Sequence, residues 1–214
     1  VLVGSGAVTV RNSTISGNTT GTYGGGLLAL MAAAPVLENV TISGNTAESG
    51  AGLAVNGVAT LRNVTIVGNT ATLRGGGITS RLSGAPTLVN VLLAGNRANS
   101  AAGNCAIEDA ATFNSGGHNL SDDTNCAALS ATGDRVNTPA GVSPELADNG
   151  GATRTHALQA GSAAIDAGLA SACPATDQRG FSRQGPCDIG AFEFGGMAPA
   201  AGVGRAAPAV TRQR

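Results

Sequence analysis

The stretch Leu37–Val55, LENVTISGNTAESGAGLAV, is written again with small changes as LRNVTIVGNTATLRGGGIT over Leu61–Thr79. Aligned on the first Asn of NVTISGN, the 214-residue chain holds four copies, at Asn12, Asn39, Asn63 and Asn90, spaced by 27, 24 and 27 residues. Columns follow from the alignment. Val10, Leu37, Leu61 and Leu88 stand two residues before that Asn; Ser13, Val40, Val64 and Val91 follow it directly; Ile15, Ile42, Ile66 and Leu93 stand three after it; Asn18, Asn45, Asn69 and Asn96 stand six after it. A glycine cluster closes each copy: GGGL at 24–27, GAGL at 50–53, GGGI at 75–78 and a degraded AGNCAI at 102–107. A unit this short cannot bury an apolar face alone, so it must stack on its neighbours.

The period is compatible with a leucine-rich repeat or a parallel β-helix. A leucine-rich repeat needs its own spaced Leu pattern and often a helical segment. Here the inner positions are largely β-branched, and Gly and Asn interrupt the chain too often for a helix. Each copy therefore reads as three short strands joined by tight turns, one coil of an all-β, right-handed parallel β-helix of about five coils. Aliphatic columns line a narrow lumen and like residues stack about 4.8 Å apart. The column Asn18, Asn45, Asn69, Asn96 reads as an amide ladder at a turn, and Asn tolerates the left-handed conformation that turns require. Aromatic residues are 2% of the chain, with no Trp and four Phe, so the interior must be built from Val, Leu, Ile and Ala.

At the start, LVGSGAVTVRN (Leu2 to Asn12) aligns with LAVNGVATLRN (Leu53 to Asn63) at an offset of 51. The chain is thus expected to open in the third strand of a coil whose first two strands are absent, either as a segment of a longer protein or with an uncapped end that pairs with something. Coils are expected over 1–126. Residues 127–194 lose the pattern and gather three of the four Phe (Phe181, Phe192, Phe194), which suits a C-terminal cap. There Asp166, Asp177, Arg179 and Asp188 are expected to fix loops. The run GGMAPAAGVGRAAPAVTRQR, 195–214, reads as a flexible linker.

The paired motifs Gly-Gly-Gly-Ile/Leu and Ile-x-Gly-Asn resemble polymorphic outer-membrane protein repeats of bacterial surface proteins. GGHNLSDDTNC (116–126), LADNGGATRTHAL (146–158), GSAAIDAG (161–168) and CPATDQRGFSRQGPCDIGAFE (173–193) together resemble the choice-of-anchor Q domain. That resemblance covers roughly residues 1–194. It implies a secreted or cell-surface right-handed β-helix module attached through a varied C-terminal anchor, and it implies no established reaction.

Cys105, Cys126, Cys173 and Cys187 are too far apart for a zinc ribbon and include no C-x-x-C redox pair. In an exported protein an even count reads as two disulfides. Three pairings are open; Cys105–Cys126 with Cys173–Cys187 is preferred, because 21 residues is close to one coil. Net charge is -1, which argues against nucleic acid or an acidic membrane as partner. No apolar run approaches the roughly 20 residues that span a bilayer. All twelve basic residues are Arg, so no Lys can serve as base or Schiff-base residue.

Because many β-helices cleave acidic polysaccharides, catalysis has to be weighed. Glycoside hydrolysis needs two carboxylates about 5–9.5 Å apart; elimination needs a base and often calcium held by several carboxylates. Residues 1–104 carry no Asp and only Glu38 and Glu48, at different registers. The regular wall therefore cannot assemble an acid cluster. The remaining catalytic candidates are Asp148, Arg154, His156 and Asp166; those for calcium, the only cofactor considered, are Asp122, Asp123 and Asp134. For each the plainer reading is a hydrogen-bonded or solvated loop residue. The sequons at Asn12, Asn18, Asn39, Asn63 and Asn119 are read as repeat-register positions facing inward rather than glycosylation sites. The expected function is a non-catalytic structural or adhesive β-helix, contacting polysaccharide or a neighbouring surface protein. A carbohydrate-active enzyme and a self-assembling fibre segment are the alternatives.

Overall fold

The structure, a computed structural model, describes residues 1–99 and 101–199. Three parallel walls wind around one lumen. The first stacks Leu2–Gly6, Leu27–Ala33, Leu53–Val55, Ile78–Ser80 and Cys105–Ile107. The second begins with Thr9–Ser16, Val36–Ser43 and Val58–Val67, then continues as the split pairs Ala85–Val89 with Leu92–Ala94 and Asn114–Ser115 with Leu120–Ser121. The third stacks Thr46–Ser49, Thr70–Arg74 and Arg97–Ala98 and ends on an antiparallel strand, Ala101–Ala102. Five rungs on each of the first two walls enclose about four turns of a β-solenoid.

Pairing between rungs keeps like residues opposite one another. Ile15, Ile42, Ile66 and Leu93 form one column, and Val10, Leu37, Leu61 and Leu88 another. All but half-buried Val10 are buried in a single core with Val3, Val55 and Ile78. At the first rung the register differs from the sequence alignment. Leu2 stands over Leu28 and then Ala54, one residue out of step with Leu53. A bulge between Val3 and Ser5 restores the register before the second wall. Because strand side chains alternate, the slip puts Val3 in the lumen at 4% exposure and leaves Leu2 outside at 66%.

The amide column is continuous. Asn18, Asn45 and Asn69 each donate from Nδ2 to Oδ1 of the next Asn at 2.9 Å. Asn96 donates to Asn104 Oδ1 at 2.8 Å, and Asn104 passes its own amide hydrogens to Ser121 and the Asp122 carboxylate. The second hydrogen of Asn45, Asn69 and Asn96 goes to the carbonyl of Ile15, Ile42 and Ile66 respectively. Each Oδ1 of Asn45, Asn69 and Asn96 also accepts a backbone N–H from the rung before. These Asn do not themselves carry the left-handed turn. Gly17, Gly44, Gly68 and Gly95 immediately before them do, at φ 60 to 67. The left-handed Asn are the other column, Asn12, Asn39, Asn63 and Asn90, at φ 48 to 54, where the second wall bends into two facets. The glycine clusters answer to close approach: a Cβ on Gly26, Gly52 or Gly77 would lie 2.5–2.6 Å from the backbone oxygen of Gly52, Gly77 or Asn104 in the next rung.

Phe113, Cys126 and Leu129, with Ala128 and Val136 against them, join the lumen core near its last rung, and Cys105–Cys126 is bonded there. The rest of the irregular block is not at that end. Residues from about 140 to 199 return down the outside of the second wall as a belt. Sequence separations of 79 to 164 mark its contacts. A second core forms between them from Val67, Leu92, Ala94 and Leu120 on the wall and Ala140, Leu158, Ala164, Ile189 and Phe192 on the belt. The physical reason is the outer face itself, which turns from Thr to Leu and from Ser to Val and Ala at its later rungs and would otherwise be left wet. The belt extends past the expected linker boundary, since Met197 and Ser182 exchange backbone hydrogen bonds. The remainder of that linker, 200–214, lies outside the described residues.

The ladder gives a direct expectation. Asn69→Ala removes the acceptor of one Asn45 amide hydrogen and of the Asn45 N–H, and the amide that bonds the Ile42 carbonyl, and should cost at least about 3 kcal/mol in urea unfolding, whereas Asn18→Ala at the exposed first rung should cost about 1 kcal/mol.

Candidate functional site: a groove between wall and belt

Asn12, Asn39, Asn63 and Asn90 mark a corner that divides the outside of the second wall. Beyond it lie Thr14, Thr41, Thr65 and Leu92, then Ser16, Ser43, Val67 and Ala94, the side the belt covers. Before it lie Arg11, Glu38, Arg62 and Val89, with Thr60 and Thr87 one alternation earlier. This uncovered facet is the floor of a groove of about 510 Å³, walled by Ser171, Ala172, Cys173 and Pro174 of the belt. Of its lining residues Glu38 alone is acidic, and it is engaged by Arg11 at 3.2 Å. Arg62 is exposed and makes no ion pair among the described residues. The groove is thus lined by the hydroxyls of Thr60, Thr87 and Ser171 and by one guanidinium, Arg62, with no aromatic residue in its lining.

The belt's grip on the wall is polar at the corner and along the Thr column. Asn39 donates to the carbonyl of Thr176 and accepts from Arg183; Asn63 donates to the carbonyls of Asp188 and Gly190; Asn90 accepts from the N–H of Leu169. These corner amides face the belt rather than the lumen, which corrects the expectation that the Asn39 and Asn63 sequons point inward; Asn12 and Asn18 are exposed at the first rung. Thr41 donates to Gln178 Oε1 at 2.6 Å, and Gln178 returns its amide to Thr14 Oγ1, Thr153 Oγ1 and the Arg154 carbonyl. Thr65 accepts from the N–H of Ala191. Gln178 and the Thr column were not singled out by sequence reasoning. The available signal was a Thr repeated at one outward register.

The catalytic candidates fall into separate places. Asp148 and Arg154 share a shallow depression of about 260 Å³, where Asp148 accepts the N–H of Gly150. His156 is 2% exposed beneath the belt, with Nε2 2.8 Å from Ser43 Oγ and Nδ1 2.8 Å from the Ser143 carbonyl. The carbonyl can only accept, so Nδ1 carries the proton and Nε2 accepts from Ser43. Burial holds this imidazole below its ordinary value of 6.5. Asp166 is exposed at a left-handed turn, its N–H bonded to Asp188. Among the calcium candidates, Asp122 terminates the amide ladder and takes the N–H of Gly95; Asp123 accepts from Asn104 and Asn125; Asp134 accepts from Ser115, Asn119 and Ala131. Among the described residues, no three or more His, Cys, Asp or Glu side chains gather where they could hold a metal.

The belt's last segment encloses a buried ionic cluster. Asp177 binds Arg179 at 2.7 Å and Glu193 binds Arg183 at 2.8 Å, and the Arg179 guanidinium lies over the rings of Phe181 at 4.2 Å and Phe192 at 3.7 Å. Asp188 accepts N–H groups from Asp166 and Phe194. Cys173–Cys187 closes this segment.

Parallel walls, a stacked aliphatic lumen and an amide ladder define a β-solenoid. The family model of the right handed beta helix region matches residues 1–127, and the chain belongs to that family. No curated protein and no solved structure matches it. Among the described residues no helix is long and apolar enough to cross a membrane.

His156 is expected to act as a fastener. Its depressed pKa means that the unfolded chain takes up the proton first, so the stability it contributes is complete above about pH 6.5 and is lost as the pH falls below it. His156→Ala should cost about 2–4 kcal/mol in urea melts at pH 7.5, and the difference from wild type should shrink by pH 5.

Proposed function

We propose that this is a non-catalytic β-helix domain, secreted or displayed on the cell surface, with a structural and adhesive role, and that the groove beside the belt holds an extended polysaccharide through many weak polar contacts. The observation that carries the reading is where the reactive side chains lie. His156, Asp177, Asp188 and Glu193 are all at most 2% exposed and bonded within the belt and its wall contacts, while the open groove offers one carboxylate already held by Arg11. Acid–base cleavage of a glycoside needs two carboxylates flanking the bond. Hydroxyls and a free guanidinium suit the holding of a hydrated, carboxylate-bearing chain without cutting it. The likeness of 116–193 to the choice-of-anchor Q domain and of the repeats to polymorphic outer-membrane proteins supports export and surface attachment.

A panel of neutral and acidic polysaccharides, with and without calcium, tests this. The expected result is binding to acidic chains without turnover, with Arg62→Ala weakening it roughly tenfold, the worth of one charge-assisted contact. Turnover abolished by Asp148→Ala in a folded variant would overturn the reading in favour of a carbohydrate-active enzyme. Monomer–oligomer equilibrium by size-exclusion chromatography checks the fibre alternative.

A further inference from the structure

The belt's terminal segment contains three buried carboxylates, Asp177, Asp188 and Glu193, against two buried guanidinium groups, Arg179 and Arg183. Two of the acids are matched: Asp177 with Arg179, Glu193 with Arg183. Asp188 is the odd one. Among the described residues its oxygens accept the backbone N–H groups of Asp166 and Phe194 and no side-chain donor, and its own N–H is held by the neighbouring carboxylate of Glu193. Among the described residues, the wall groups bonded to this segment are neutral: the amides of Asn39, Asn63 and Asn90 and the Thr65 hydroxyl, with the belt's own Cys173–Cys187 bridge beside them. On the belt the surrounding titratable or charged groups are Glu193 and Arg183 closest, Asp177 and Arg179 behind them, and the exposed Asp166. On the cap His118 bonds the Ala167 carbonyl.

We propose that the Asp188 carboxyl is a proton-operated latch: neutral, it locks residues 164–197 onto the wall; ionised, it loosens them and, with them, the rim of the groove. The mechanical link is short. Asp188 follows Cys187, which is bonded to Cys173, and Cys173 with Ser171, Ala172 and Pro174 is that rim. Gly168 and Ile189 carry the same loop by backbone bonds to Cys187 and Ala164. An ionised Asp188 leaves three negative charges facing two positive ones out of water, and a buried carboxylate with two N–H donors but no cation of its own is costly. Consistent with this, burial first and the nearby Glu193 charge further down push Asp188 up to about 6, against the opposing pull of its two N–H donors and Arg183. An acid whose folded pKa is raised contributes stability that is complete below its unfolded value, near 3.8, and is lost as the pH rises through about 6. The latch is therefore closed in mildly acidic surroundings and weakened at neutrality. It stands on the charge count and holds whether or not the groove binds a glycan.

Hydrogen exchange on the disulfide-intact chain, corrected for intrinsic rates, tests it at pH 5 and pH 7. In wild type the opening equilibrium of 164–197 should rise about tenfold between the two, as one unit of effective proton linkage requires, while the lumen strands stay protected. In Asp188→Asn that rise should vanish. His156, whose effect has the opposite sign, is common to both proteins and cancels in the comparison. The proposal is overturned if wild type shows no rise or if Asp188→Asn keeps it, which would move the titration to Glu193, Asp177, Asp166 or His118. Should Asp188→Asn fail to fold, the ¹³Cγ shift of Asp188 in wild type decides: a midpoint near 6 supports the latch, and one near the ordinary value overturns it.

Discussion

Everything in this molecule is referred to the amide column that runs through Asn45, Asn69 and Asn96. A buried primary amide has two donors and one carbonyl, and here each is satisfied by a residue one rung up, one rung down or at the adjoining turn. Nothing else at that position has the same valence at the same length. The requirement fixes the vertical register to the residue, and the aliphatic columns then need only be hydrophobic and of suitable volume. That is how a lumen with hardly an aromatic side chain can be specified. All the amides point the same way, so the column has a donor end, and the Asp122 carboxylate and Ser121 receive it.

The other Asn column works through backbone geometry. A left-handed residue bends the second wall once per rung, and Asn adopts it at small cost while keeping a side chain with which to hold the belt. One residue type therefore performs two separate tasks six positions apart. The bend also separates a covered facet from an open one. On the covered facet, Thr and Ser hydroxyls meet belt amides, carbonyls and an imidazole, and the polar chemistry of the later sequence is turned inward. On the open facet little remains except hydroxyls, an engaged Glu38 and an exposed Arg62.

The lumen columns, the ladder partners and Cys105–Cys126 are readable from the sequence because each is a repeat or a near-repeat spacing, with Cys173–Cys187 following as the remaining pair: Ile15, Ile42, Ile66 and Leu93 announce themselves by position alone. The belt is not readable in that way. Thr41 meets Gln178, and Ser43 meets His156, across more than a hundred residues with no internal symmetry to align them. His156 and Asp188 could be recognised as buried only once the wall that buries them was in place. What the sequence does carry is indirect. The outward register runs Thr14, Thr41, Thr65 and then Leu92, and a solvent-facing position has no reason to become Leu. The same shift at Ser43, Val67 and Ala94 marks where water is excluded. The one-residue slip at Leu2 was hidden because a bulge compensates for it within the same strand.

An open solenoid can gain or lose a rung with little consequence, since each rung touches only its neighbours. Here the returning segment touches the first rung at Thr14 and the fourth at Asn90 and Leu92, with fixed contacts between. It is a ruler laid along the stack. A repeat duplicated or deleted between the first and fourth rungs would leave it too short or too long, so the number of coils between Thr14 and Leu92 is set from outside the coils.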